Sequence, residues 1–590
     1  LRSRRRSRYI GLLSIVVVFA LIAAACGDDE GEETTTAAPE TTAAPETTAA
    51  PETTQPPQTT TQAQVGDAAP VEGAVMSVTY NIHPDATWSD GVPVTADDFA
   101  FTQDTIMNPD NDILSREGNN KVINYEIVDD KTFRMDFGEV YAPWQTIWST
   151  TGILPKHELE GQNFNDYWDE QITLGSGPFV FKEWVKDQQI VLERNPNYWR
   201  DTFIDGTPVG DVQTIIIPFL EDSQTQVQAL RGREIDMFYP QPQLDLVEQV
   251  AGIDGVTSEA GLGPIWEHFD FNHSDPLLSQ SFIRQAIALS IDRAAIVDAI
   301  IKPLAPEAIP LNNSIWMANT AFYQDNFADF EYDPAAAAAL LEGNGCTKGG
   351  DGIYECGGER LSFSWTTTAG NEARELQFEV AQQQLAEVGI EVSPKFGPAS
   401  EVFADENFFG DNSAWQIFNF AWVGSPDPAG GNTLYYCEGD APNGFGSNNN
   451  LRYCDEEVDA LVRSTDGIVD PAERAAVYNE ADAKFLAEVP LIPLYQKPTF
   501  FAWYSDIQGP ADNATQVGPM WNVETWTGVD QVVFGADQQP ESLNQYTPDG
   551  NLFAASIVAV AVQQGAFTIT PDFQYVPNLV ENAFVTLYDQ

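Results

Sequence analysis

Residues Thr79 to Thr102 constrain this chain most, because they change from one structural period to another across a single tight turn. Thr79–Ile82 is short and β-rich, and Ser89-Asp90-Gly91 supplies turn chemistry. Thr95 then stands where an N-cap belongs, ahead of Ala96-Asp97-Asp98, whose carboxylates complement the positive end of a helix. A strand feeding a helix in this way predicts an α/β architecture, and strands and helices alternate from Ala74 onward. At 590 residues the chain exceeds what one hydrophobic core serves, so two or three lobes are expected.

The first 65 residues stand apart from that pattern. Arg2 to Arg8 carries five arginines, and Tyr9 to Ala25 is almost wholly apolar, which makes residues 1–25 a signal peptide. Its apolar core is short for a membrane span. A twin-arginine route is disfavoured because the apolar residues that should follow the arginines are missing, so Sec export is expected. A start on Leu1 implies a non-AUG codon or missing residues. Thr34 to Gln64 repeats TTAAPE with too few apolar groups to offset the entropy of ordering, and 26–65 is expected to be a disordered tether.

Charge and cysteines narrow the compartment and the partners. A formal net charge of −60 excludes nucleic acid, whose phosphates nothing would neutralise, and charge-driven docking on anionic lipid. Apart from Cys26 there are two local pairs, Cys346 with Cys356 and Cys437 with Cys454. Neither has metal-ligand spacing or nearby histidines, so disulfides in an oxidising compartment are expected.

Along the chain, Gln189–Glu193 reads as a strand and Thr225–Arg231 as a helix capped by Ser223, followed by a strand over Arg233–Met237. Alternation places Trp266, His268 and Asp270 on one strand face. His268 and His273 flank a carboxylate, but only His268 and Asp270 share a face, so no metal site is expected. Phe282 to Arg293 reads as one amphipathic helix, Pro334–Leu341 and Glu372–Val388 as further helices, and Ile390–Pro394 as a strand. Pro471 to Val489 is helical, with proline at the first position after Asp470.

Catalytic signatures are missing. Four histidines sit at no catalytic spacing, and Gly-x-Ser-x-Gly, His-Glu-x-x-His and the P-loop pattern are absent. Carboxylate pairs are unavoidable among 88 acidic residues and carry no weight. No enzyme, no catalytic residue and no cofactor are therefore expected, the alternative being a surface-anchored hydrolase or adhesin.

Several stretches together resemble the extracellular solute-binding proteins of ABC importers, peptide/nickel-type family 5. They are Thr79 to Thr102, Leu174-Gly175-Ser176-Gly177-Pro178-Phe179, Asn195-Pro196-Asn197-Tyr198-Trp199, Phe282 to Arg293, Trp415 to Asn432 and Trp521 to Trp526. Ala23-Ala24-Ala25-Cys26-Gly27 likewise resembles a bacterial lipobox with Cys26 lipidated. The family's N-terminal strand and following turn are missing upstream of Thr79 and match Val532 to Gln590 instead, so the chain looks circularly permuted. Phe584–Leu587 should then pair antiparallel with Met76–Tyr80. The rival is a tandem whose second copy stops at Gln590, which would leave the first copy without its first strand.

The resemblance implies a two-lobed, type II periplasmic-binding-protein-like fold with an extra domain. Residues 66–177 and 551–590 would form that extra domain, 178–262 and 492–550 the first lobe, and 263–491 the opposite lobe. It implies capture of a peptide-like or other small organic solute and delivery to ABC permease subunits by an extracytoplasmic monomer, held to the membrane only through its lipid. The site residues carried over by position are Trp422, Ser425, Tyr546, Thr547 and Asn551, with Trp266 and Tyr495 at the crossings between lobes. Where peptide-binding relatives place an acid three residues after the tryptophan, to pair the peptide's α-ammonium, this chain has Ser425. Asp427 is the nearest substitute, hemmed in by Pro426 and Pro428. Ordinary peptides are therefore expected to bind poorly.

Overall fold

The computed structural model describes residues 71–240, 244–409, 415–424, 426–439 and 441–588. The signal sequence, Cys26, the tether, Ser425 and Gln590 lie outside the described residues. The helix expected after Thr95 runs Ala96–Met107 and opens with a capping box, in which the Asp98 carboxylate accepts the Thr95 N–H at 2.8 Å.

Three sheets organise the chain. The first takes Val122–Asp129, Thr132–Phe137, Met76–Ile82 and Val580–Leu587 in that order. Met76–Ile82 pairs antiparallel with Val580–Leu587 from Met76 opposite Leu587 to Ile82 opposite Val580, with a bulge at Asn81/Ile82. The pairing expected of Phe584–Leu587 is present and longer than anticipated. The second sheet has seven strands: Phe179–Val185, Gln189–Arg194, Thr214–Pro218, Gln531–Gly535, Met237–Phe238, Phe501–Tyr504 and Val256–Glu259. Its middle strand, Gln531–Gly535, runs parallel to both Thr214–Pro218 and Met237–Phe238. The third sheet comprises Glu391–Gly397, Ser362–Thr368, Ile417–Val423, Leu262–Phe271 and Leu491–Pro498. It belongs to a continuous stretch joined to the second sheet by two adjacent crossings. There Thr499 N–H bonds to the Gly261 carbonyl at 2.8 Å, and Gly261 N–H to Thr499 Oγ1 at 3.0 Å.

Close backbone approach explains two glycines in Leu174–Phe179. Gly177 N–H donates to the Val562 carbonyl at 2.8 Å, and a Cβ on Gly175 would stand 2.0 Å from the same oxygen. Val562 ends the helix Phe553–Val562, so any side chain at Gly175 would push that helix away. Both expected disulfides, Cys346–Cys356 and Cys437–Cys454, are formed.

Four local expectations are corrected. The helix after Leu220 spans Ser223–Arg231 and is capped by Asp222, not Ser223; Asp222 accepts the Thr225 N–H at 2.7 Å. Arg233–Met237 is not a strand. Arg233 and Glu234 finish the helix with bonds back to Leu230 and Ala229, Arg233 has φ 55°, and only Met237–Phe238 joins the sheet. Phe282 to Arg293 is two helices, Ser281–Ser290 and Arg293–Ile300, because Asp292 caps the second by accepting the Ala295 N–H at 2.9 Å. The strand read at Ile390–Pro394 is Glu391–Gly397. By contrast, Glu372–Val388 is helical end to end, between the Asn371 cap and left-handed Gly389 at φ 110°.

Candidate functional site

Antiparallel register builds the site on the third sheet. Trp422 lies opposite Trp266, Phe420 opposite His268, and Phe418 opposite Asp270. These side chains share one face, since strand residues two apart point the same way. The His268 ring is boxed by Trp266 and Phe420, with centroids at 4.5 and 4.4 Å, and lies nearly parallel to Trp422 at 6.2 Å. His268 Nδ1 and Asp270 Oδ1 are 2.7 Å apart, and Asn450 donates to the other Asp270 oxygen at 2.8 Å. Trp422 is half-buried, yet its Nε1 is shielded and has no hydrogen-bond partner among the described residues. Trp266 and Trp422 are thus cross-strand neighbours in an aromatic wall whose rings are tilted against one another, with Trp266 buried at 4% exposure and only Trp422 partly open.

The reverse face carries a buried ionic group. Glu267 accepts from Arg374 Nε and Nη2 at 3.0–3.2 Å, from Lys497 Nζ at 2.8 Å and from Asn419 at 3.3 Å. Burial pushes its carboxyl up, but Arg374 and Lys497 outweigh that and hold it at about 2. Tyr495 sits beside this group as packed core, 1% exposed, its hydroxyl accepting from Gln377 at 2.6 Å.

The other expected residues are dispersed. Tyr546 and Thr547 are buried; Thr547 Oγ1 donates to the Asn544 carbonyl at 2.9 Å, and the Tyr546 hydroxyl donates to the Gly152 carbonyl. Asn551 is exposed. Asp427 is engaged in two ways: its carboxylate takes a forked pair of bonds from Arg474 at 2.7 and 2.8 Å and caps the turn at Ala429 N–H at 2.9 Å. Burial works against the Arg474 charge, and Asp427 more than offsets it, holding the guanidinium above its ordinary value.

Segments from opposite sides of the crossings also touch, one of them beside this wall. Gln516 donates to the Val423 carbonyl at 3.0 Å, directly after Trp422. Leu114 N–H bonds to the Tyr546 carbonyl at 2.8 Å, while the Leu114 carbonyl accepts from Ser447 Oγ at 2.6 Å. Ala142 N–H reaches the Asp466 carbonyl at 2.7 Å, and Lys121 Nζ lies 3.2 Å from Asp466 Oδ2. Sequence reading missed both this contact and the Glu267 group, whose members are separated by a hundred residues or more and carry no local signal. A separate cavity of about 40 Å³ is lined by Arg200, Glu524, Gln545, Gln563 and Gln564 among others, and by none of the expected site residues. Among the described residues no group of three or more His, Cys, Asp or Glu is placed to hold a metal, and no helix is long and apolar enough to cross a membrane.

Comparison with known proteins places this geometry. The profile of the bacterial extracellular solute-binding proteins, family 5 middle region, matches residues 75–443. The oligopeptide-binding protein OppA of Mycobacterium tuberculosis is 29% identical over 428 residues, covering 71% of this chain and 69% of that protein. Among solved structures, the oligopeptide-binding protein AppA of Bacillus subtilis with a nonapeptide aligns at TM-score 0.67 and 22% identity, over 78% of this chain and 88% of that one. NikZ of Campylobacter jejuni with Ni(L-His) aligns at TM-score 0.67 and 22% identity, over 78% and 89%. These relatives are named for binding, which lends no support to a surface hydrolase or adhesin.

Proposed function

Because the chain belongs to the bacterial extracellular solute-binding proteins of family 5, we propose that it encloses a peptide-like or other small organic solute between its lobes and hands it to an ABC permease. It does so as a monomer without catalysing a reaction. The observation that carries this reading is the pair of adjacent crossings at Gly261 and Thr499, with Gln516 reaching the end of the Trp422 strand at Val423 and Leu114 reaching Ser447. A solute that touches both sides favours the closed form only by its differential affinity for it. The domain division given above, with 551–590 returning to the extra domain, fits the first sheet's composition. The test is to denature freshly purified protein and identify released small molecules by mass spectrometry. A solute recovered in near-stoichiometric amount is expected; release of none, with a time-dependent change in added peptides or glycosides, would point to an enzyme instead.

Two finer readings carry their own checks. We take Cys26 as the lipid anchor and the cell surface as the location. Cys26→Ser is expected to move the protein out of the membrane fraction with solute binding intact, and a variant that is processed yet stays membrane-bound would refute the lipobox. We also propose that no acid near residue 425 anchors a peptide α-ammonium, since the Asp427 carboxylate is held by Arg474. Calorimetry with matched free and N-acetylated tripeptides should give affinities within about threefold, each well below the level a buried ion pair confers, which is on the order of hundreds-fold. A free peptide bound tens of times more tightly than its acetylated twin would show an acid at that group.

A further inference from the structure

The contact between Lys121 and Asp466 is chemically incomplete. Asp466, 3% exposed, has no hydrogen-bond partner at Oδ1 among the described residues, and at Oδ2 only the off-axis ammonium of Lys121 at 3.2 Å. Glu117 Oε1 is likewise shielded without a hydrogen bond, 3.6 Å from the same ammonium. Lys121 makes its one well-directed bond outward, to Glu139 Oε1 at 2.9 Å, and Glu139 is 62% exposed. The Tyr436 hydroxyl, which feels both Glu117 and Asp466, is also buried without a partner. Leaving such acceptors unsatisfied costs on the order of 1–3 kcal/mol each, and more when charged. Two further cations lie near, each already held by its own carboxylate: Arg474 by Asp427, and Arg463, stacked over the Tyr436 ring at 3.6 Å, by Asp459 at 3.0 Å. Carboxylates therefore exceed cations here, and the acceptors come from both sides of the crossings.

We propose that this interface is a cation subsite, in which an ammonium or guanidinium group of the solute sits between Glu117 and Asp466 while Lys121 swings out onto Glu139. The proposal rests on the solute-capture reading and names where the solute's positive charge goes. An ammonium offers three donors and no acceptor, which suits Glu117 Oε1, Asp466 Oδ1 and the Tyr436 oxygen. A bare metal ion is the poorer fit, since no cluster of three ligating side chains is present among the described residues. The arrangement also predicts competition with protons. Burial lifts the Asp466 carboxyl to about 6 against the pull of Lys121, with Glu117 adding to the rise and Arg474 opposing it. Tyr141 and Tyr436 face the same group with hydroxyls held well above neutrality. Cation affinity should therefore rise as pH increases through about 6 and Asp466 ionises.

The experiment is calorimetry on the whole protein with N-acetylated, C-amidated tetrapeptides carrying one lysine or arginine, matched to norleucine and citrulline twins, at pH 8 and pH 5. The cationic member should bind about tenfold to a hundredfold more tightly at pH 8. That advantage should shrink at pH 5, vanish in Asp466→Asn and widen in Lys121→Gln, where the internal competitor is gone. Glu117→Gln, checked for unchanged melting, serves if Asp466→Asn fails to fold. Equal binding of cationic and neutral twins by the wild-type protein overturns the subsite and leaves solute capture standing. Binding of neither removes the subsite together with the peptide-like solute.

Discussion

A protein cut before Val532 is expected not to fold. The missing piece supplies all but the first residue of the central strand of the seven-stranded sheet, Gln531–Gly535, the edge strand Val580–Leu587, and the helix Phe553–Val562 that Gly175 and Gly177 press against. Val532, Phe534, Ile557, Val558, Val562 and Leu579 are each at most 4% exposed. A fully buried side chain of that kind contributes about 1.5–3 kcal/mol, so these six alone account for as much as the 5–15 kcal/mol that holds a typical domain together. The truncated form should be insoluble, or show no cooperative melt by circular dichroism. Adding the missing segment as a separate chain should restore a melt, as expected where a strand's place in the sheet is left open. A truncated protein that melts at unchanged temperature and still binds solute would overturn the assignment of 532–590 to the core, and with it the circular-permutation reading. The paired strands Met76–Ile82 and Val580–Leu587 are what make that reading attractive, because joining them by a hairpin would give the family's ordinary order.

Arg374→Met, in the helix Glu372–Val388 that packs its guanidinium against the third sheet, should be strongly destabilising. It strips Glu267 of its forked partner and leaves a carboxylate, 1% exposed, with Lys497 as its remaining close cation. Breaking one side of a buried ion pair costs about 3–5 kcal/mol. Denaturant melts at pH 7 should show a loss of that size. The pH dependence has a definite sign. Glu267 is held at about 2 in the folded protein against an ordinary 4.5, so its contribution, on the order of 3 kcal/mol, is present above pH 4.5 and fades as pH falls toward 2. With Arg374 gone, the folded carboxyl rises, and the variant should differ less from wild type at pH 3 than at pH 7. Equal stability of the two proteins at pH 7 would show that Lys497 alone suffices.

What could be read from the sequence was whatever is decided within a turn or two of the chain. The Thr95 capping box, the helix Glu372–Val388 between an asparagine cap and a glycine, and two disulfides closing short loops all have their cause within about twenty residues. Where two local signals competed, the reading slipped. Asp222 and Ser223 are both good caps, and the choice fell to whichever stood three residues before a free N–H at Thr225. Arg233 and Glu234 were read as the start of the next strand, but their N–H groups bond back to the end of the preceding helix. At the candidate site, family position named Trp422 and Trp266 separately, and the strand register puts the two opposite each other. Glu267 with Arg374 and Lys497, and Asp466 with Lys121, were invisible because charge pairing across more than a hundred residues leaves no periodicity behind.

The position of Gln531–Gly535 also sets the timing of folding. Its neighbours in the sheet, Thr214–Pro218 and Met237–Phe238, are made about three hundred residues earlier and have nothing to close on until it arrives. A chain delivered from its N-terminus must therefore stay open at its widest sheet until nearly all of it has emerged, with loop-closure entropy delaying the long-range pairing. Until Gln531–Gly535 arrives, the strands on either side of its place carry unpaired edges, which makes the late stage of synthesis the one most open to misassembly.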